Sequence, residues 1–240
     1  MNVLCVIPAR YASTRLPGKP LKDIAGKPMI CRVYERAAKA SRVAAAIVAT
    51  DDSRIYDAVL QHGGKAVMTR KDHPTGTDRL AEVAEKYPDV DLIINVQGDE
   101  PLIEPKLIDE LAAAFDGDAD LQMATVCTEI TDEAEQQNPN NVKVVMDKQG
   151  YALYFSRSLM PYPRHPGTPV YKHIGIYATS ATSCSPTQRW QRRPWSMPRA
   201  SSSCARSRTA TASRSSRRRT ASSASTRRRT SRRSTQSTAR

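Results

Sequence analysis

From Thr179 to Arg240 the chain contains no Leu, Ile, Val, Phe, Tyr, Gly, Asp, Glu, Lys, Asn or His. A segment made almost wholly of Ser, Arg, Thr and Ala buries too little apolar area to offset the entropy of ordering it. Any packed core must therefore come from residues 1–178. The tail also holds 16 of the 37 Lys and Arg and none of the 24 Asp and Glu, so the front part has a net charge of −3. The whole-chain charge of +13 belongs to the tail. A basic stretch is commonly a footprint for polyanions, but this one lies outside the part that can fold. Two units are expected: one domain over 1–178 and a disordered basic tail over 179–240.

Residues 1–178 are enough for a single α/β core. Apolar strand-like runs alternate with helical patterns. "VLCVIPA" reads as a buried strand, followed by a helix from Met29 to about Ala40. "AAAIVAT" precedes a helix from Ser53 to about Gln61, and "KAVM" precedes one from Asp78 to Lys86. "DLIINVQGDEP" is the strongest strand, a continuous apolar run of the kind covered on both faces. A helix from Ile108 to Phe115 and strands at "VKVVM", "YALYFSR" and "YKHIGIYA" complete the pattern. Repeated strand-then-helix units predict an α/β, Rossmann-like fold: a mainly parallel sheet with helices on both faces. In such sheets ligands gather at the carboxyl ends of the strands.

Three loops at those ends carry candidate chemistry. "PARYASTRLPGKPL" places Arg10, Arg15 and Lys19 within ten residues, with Gly18 allowing close backbone approach. Three cations on one loop of an acidic domain suit a polyphosphate, although a solvated basic loop is nearly as common. Neither a Walker A loop nor a GxGxxG fingerprint is present. "VQGDEP" puts Asp99 and Glu100 just past the strongest strand, where a carboxylate can hold Mg²⁺. The bland alternative is an acidic turn. "TRKDHPTGTDR" offers Arg70, Thr75, Thr77, Asp78 and Arg79. It also reads as a helix cap with Thr77 or Asp78 at the N-cap, and helix N-termini bind anions as well.

The segments "IPARYASTRLPGKPL", "MTR" before "GTDRL", "NVQGDEP", "NPNNVKVV", "YALYFSR" and "KHIGIYA" follow one another in order. Together they closely resemble the 3-deoxy-manno-octulosonate (Kdo) cytidylyltransferases, almost without interruption from Met1 to Ala178. The opening loop is specific, because the related CMP-sialate enzymes carry a different version. The resemblance implies a nucleotide-diphospho-sugar transferase-like fold, a homodimer, Mg²⁺ dependence, and a reaction of CTP with Kdo giving CMP-Kdo and pyrophosphate for lipopolysaccharide synthesis. It further implies that Arg10, Arg15 and Lys19 grip the triphosphate and that Arg70, Thr77, Asp78, Arg79 and Gln97 lie around the nucleotide. By the same resemblance Asp99 binds the metal and, with Lys19, serves catalysis, while Arg157 and His173 face the sugar acid. Without the resemblance, Arg157 reads as a surface ion-pair former and His173 as a satisfied sheet histidine. No specific nucleic acid or membrane partner is implied. Five scattered Cys with no metal spacing, and no secretory signal or spanning segment, predict a cytoplasmic protein.

The tail reads as out-of-frame translation. Nearly every residue type in it has G or C at the middle codon position, with the three Gln and Met197 as exceptions. Trp195 and Met197 have single codons. Regrouping the bases one position earlier lets Arg193–Ala205 read Thr-Pro-Leu-Glu-His-Ala-Glu-Ser-Leu-Glu-Gln-Leu-Arg. The same register lets Ser223–Ser231 read Gly-Val-Asp-Thr-Pro-Glu-Asp-Leu. Both resemble the family's C-terminal segments. The Asp codon straddles Ser225 and Thr226, so a second metal-binding carboxylate implied by the family is missing. The rival reading is a genuine Arg/Ser-rich tail that holds nucleic acid nonspecifically.

Overall fold

The computed structural model describes residues 1–12, 16–73, 75–165, 167–181 and, as backbone, 207–211. The first half alternates as the sequence predicts: β1 (Val3–Ala9), α1 (Met29–Ala37), β2 (Ala45–Thr50), α2 (Ser53–Gln61), β3 (Ala66–Met68), α3 (Gly76–Lys86), β4 (Leu92–Asn95) and α4 (Pro105–Ala113). β5 (Met123–Glu129), α5 (Glu133–Gln137), β6 (Lys143–Met146), β7 (Ala152–Ser156), β8 (Tyr171–Ser180) and β9 (Ser207–Thr211) follow.

The sheet runs β3-β2-β1-β4-β8-β5-β9, with β6 pairing both β7 and β8. β3, β2, β1 and β4 run parallel to one another. β8 is antiparallel to both β4 and β5, so the sheet is mixed, with its parallel half at the N-terminal end.

Side-chain alternation along the strands divides the core. Cys5, Ile7, Val48 and Ile94 pack with α1, α2 and α4 through Ile30, Val33, Ile55, Val59, Ile108 and Leu111. Leu4, Val6, Ile47, Ala49 and Ile93 pack on the other face against Leu80 and Val83 of α3. The period of two sends neighbouring residues to opposite faces, which is why each strand reads as continuously apolar. Among the described residues no helix is long and apolar enough to cross a membrane.

Two expectations change. β5 is absent from the sequence reading, yet Ala124, Val126 and Cys127 are fully buried there. α3 begins earlier than expected: its N-cap is Thr75, not Thr77 or Asp78, and Asp78 closes a capping box from the third helical position. β8 runs through Thr179 and Ser180, and Ser207–Thr211 pairs in parallel with β5 from Met123 to Cys127. Ladder hydrogen bonds come from the backbone, so an open sheet edge accepts a strand without asking for apolar side chains. The other residues from 182 onward lie outside the described set.

Candidate active site at the carboxyl ends of β1 and β4

β1 delivers Arg10 directly after Ala9, and β4 leads into Val96, Gln97, Gly98 and Asp99. The two chain segments meet. A Cβ on Gly98 would lie 2.9 Å from the carbonyl oxygen of Pro8, so only glycine lets the acidic loop rest on the end of β1. Gly18 performs a related task with φ of 67°: its N–H donates to the Tyr11 carbonyl at 2.9 Å, and Lys19 opens a short 3₁₀ turn beyond it.

Lys19 and Asp99 come from these two segments and form an ion pair, Nζ to Oδ2, at 2.6 Å. Their side chains are 39% and 50% exposed. A pair this open contributes little to stability. Its consequence is local: a cation and a carboxylate are held at one spot, each reachable by a ligand. The cleft around them has a volume of about 190 Å³ and is lined by Arg10, Lys19, Pro20, Met29, Gln97 and Asp99, among others. That suits a phosphate group more than a whole nucleotide, whose usual pockets are about 300–1,000 Å³.

A divalent hard cation seeks carboxylate oxygens and water. Asp99 offers a half-exposed carboxylate, and Glu100 beside it is exposed. Among the described residues no three His, Cys, Asp or Glu side chains gather. A metal held here would take its remaining oxygens from water and from phosphates, the coordination habit of Mg²⁺.

The other expected residues divide. Arg10 reaches across the cleft wall, its Nη2 donating to the His73 carbonyl at 2.6 Å. His73 is buried and bonded to Glu82 of α3, which also accepts from the Arg70 N–H and from Lys86. Burial alone would raise the Glu82 pKa, but these donors outweigh it and bring it down to about 2. The Arg70–His73 loop is thereby fixed to α3. The Arg70 side chain is exposed beside Asp72, and Thr77 is exposed on the first turn of α3. Asp78 is engaged in the cap through its bonds with Thr75. Arg79 is fully buried, bonded to Thr69 and, at 3.1 Å, to Asp51 at the end of β2. Arg15 lies outside the described residues.

Sequence reasoning did not single out Tyr11 or Arg54. The Arg54 guanidinium sits 3.4 Å over the Tyr11 ring and is held by Asp52, the N-cap of α2. Aromatic and cation in "ARY" and "DDSR" lie 43 positions apart, so only the fold pairs them.

Arg157, just past β7, and His173, in β8, lie on either side of the start of β6. The His173 N–H donates to the Val142 carbonyl at 2.8 Å, and β6 pairs with β7 on its other side. The His173 ring packs against Phe155 and Tyr177. Burial brings its pKa down to about 4, so the ring is neutral at pH 7. The Thr125 hydroxyl donates to the Ile176 carbonyl at 2.8 Å, which leaves its lone pair to accept from His173 Nε2–H at 2.9 Å. Nδ1 then carries the free lone pair. Gly175, two residues along β8, ties this region to the cleft: a Cβ there would lie 3.9 Å from Gln97 Cγ.

A cytidylyltransferase family model matches residues 4–191. A 3-deoxy-manno-octulosonate cytidylyltransferase from Fusobacterium nucleatum is 57% identical over 178 residues, covering 74% of this chain and 72% of the relative. The enzyme of that name from Escherichia coli is 49% identical over 212 residues, covering 88% and 84%. A solved CMP:2-keto-3-deoxy-manno-octonic acid synthetase, complexed with CTP, superposes with a TM-score of 0.79 at 46% identity, covering 88% of this chain and 90% of that one. The chain belongs to the cytidylyltransferase family, among the 3-deoxy-manno-octulosonate cytidylyltransferases.

Proposed function

We propose that this protein activates Kdo with CTP, releasing pyrophosphate and forming CMP-Kdo for lipopolysaccharide synthesis. The observation that carries the reading is the Lys19–Asp99 pair in the cleft at the ends of β1 and β4. Lys19 and Arg10 supply positive charge for a triphosphate, and Gln97 stands where the nucleotide would continue toward β8. Arg157 offers a planar donor fork for the sugar carboxylate, and neutral His173 offers hydrogen bonds without charge. The sugar hydroxyl attacks the α-phosphorus in line with the departing pyrophosphate. Such a transfer needs positioning and charge neutralisation rather than a covalent intermediate. Lys19 meets the charge that develops on the phosphate oxygens. Mg²⁺, when bound at Asp99, neutralises phosphate charge and orients the oxygens it shares.

The site-residue roles, the homodimer, Mg²⁺ as the metal and a cytoplasmic location are parts of this proposal. Buried thiols at Cys5 and Cys31 support a reducing compartment. We further propose that residues 179–240 arise from a shifted reading frame. The regrouped segments at Arg193–Ala205 and Ser223–Ser231 support this. Ser225 and Thr226 then stand where a second metal carboxylate belongs, and CTP binding survives better than turnover.

The test is calorimetry of the 1–240 chain with CTP and Mg²⁺, beside a frame-restored protein, with CMP-Kdo formation measured in both. Binding in both, with strong turnover only in the restored protein, is expected. No CTP heat from the 1–240 chain, beside a clear signal from the restored one, overturns the reading for this chain.

A further inference from the structure

Lys143, the first residue of β6, is fully buried. Among the described residues it forms no ion pair with a carboxylate. Its ammonium donates to two backbone carbonyls, Asn138 at 2.7 Å and Arg157 at 3.2 Å. Burial lowers its pKa below the ordinary lysine value. A desolvated cation held only by carbonyls is a costly way to fill space, so the bonds themselves need an explanation.

The two carbonyls lie on different chain segments. Asn138 ends α5, and Arg157 follows the last residue of β7. Arg157 returns the connection, its Nη1 donating to the Pro139 carbonyl at 2.9 Å. Two cations thus join the 138–142 loop to the end of β7 through three carbonyls. The backbone of Arg157 is fixed by Lys143, and one guanidinium nitrogen is fixed by Pro139. A guanidinium has five N–H donors, so donors remain for a ligand at this exposed residue. Val142, next to Lys143, accepts from His173 N–H, which sets the histidine against the same loop.

We propose that Lys143 is a positioning residue for the sugar-acid subsite. Its ammonium pre-orients Arg157, so that the carboxylate of the acid substrate meets a guanidinium already in place. The inference rests on the reading that Arg157 takes that carboxylate. Preorganisation of this kind lowers the cost of ordering a long side chain on binding.

The test measures Kdo and CTP–Mg²⁺ affinities separately by calorimetry on the full 1–240 chain, wild type, Lys143→Met and Arg157→Ala. Lys143→Met is expected to weaken Kdo binding about fivefold to tenfold, the scale of losing one preorganised side chain, with CTP affinity within about twofold. If the Met variant does not melt cooperatively, Lys143→Gln repeats the comparison with the same expectation. Kdo affinity unchanged in the lysine variants while Arg157→Ala loses it overturns the positioning role and leaves the functional reading standing. Equal losses for Kdo and CTP also overturn it, because that is what a merely structural lysine produces. No Kdo binding by the 1–240 chain, beside clear binding by the frame-restored protein, overturns the positioning role in this chain; no Kdo binding by either removes the functional reading itself.

Discussion

Asp51→Ala isolates what the Arg79 guanidinium is doing. Arg79 is completely buried, and Asp51 is its one carboxylate partner among the described residues, at 3.1 Å, with that side chain 17% exposed. Thr69 supplies a second acceptor, and Arg79 Nε has none. Removing the carboxylate leaves a buried charge compensated only by a hydroxyl. Breaking such a pair from one side costs about 3–5 kcal/mol. For a domain of this size, at about 2–4 °C per kcal/mol, the melting midpoint should fall by about 6–20 °C. Urea titration should show the same loss with little change in slope. The double variant Asp51→Ala/Arg79→Met removes both charges and should recover to within about 1–2 kcal/mol of the parent. It also separates two roles. If Arg79 holds β2 to α3, the double variant keeps CTP affinity; if it contacts the nucleotide, as the family resemblance implies, affinity is lost while stability returns. A loss below about 1 kcal/mol in Asp51→Ala would mean that water reaches the guanidinium, and the reasoning from burial would be refuted.

Gly98→Ala places a Cβ 2.9 Å from the Pro8 carbonyl; the overpacking should cost about 1–3 kcal/mol and weaken CTP–Mg²⁺ binding by displacing Asp99 from Lys19, which calorimetry reads. Asp99→Asn should weaken metal-dependent CTP binding, while Asp120→Asn should leave it unchanged in the same titration. His173 has a folded pKa near 4, below its ordinary 6.5, so the folded state binds fewer protons in that window and stability falls as pH drops from 6.5 toward 4. The contribution is at most about 3 kcal/mol; proton NMR should show no His173 titration between pH 5 and 8, and a midpoint near 6.5 would contradict its burial.

The parallel half of the sheet was legible because Cys5, Ile7, Val48 and Ile94 fill one face while Leu4, Val6, Ile47 and Ile93 fill the other, and the intervening helices carry their own period. β5 was not, because Met123–Glu129 mixes Thr, Ala and Cys with apolar residues and follows no turn signal as clear as Asp147–Gly150. The cap on α3 was misplaced by two or three residues: threonine stands at both 75 and 77, and only the reciprocal bonds of Thr75 and Asp78 distinguish them. The cationic loop and the acidic loop could be expected to converge from topology alone. That Arg79 turns inward could not, since its spacing from Thr77 and Asp78 gives no sign that Asp51 waits beneath it.

β8 stands between β4 and β5, which gives the middle of the sheet a long delay. Asn95 finds its partner at Tyr177, and Leu92 finds its own at Ser180. During synthesis at about 5–20 residues per second, β4 waits on the order of 4–16 s for that strand to be made. Through that interval it presents an unpaired apolar edge, the kind of surface that chaperones cover and neighbouring nascent chains stick to. The change in composition falls at Thr179, just as the strand that ends the delay is completed. Thr179 and Ser180 still pair, because Ile93 and Leu92 ask only for their main chains. A break some ten residues earlier would have removed Ile176 and Ala178, the β8 side chains that fill the core at the middle of the sheet.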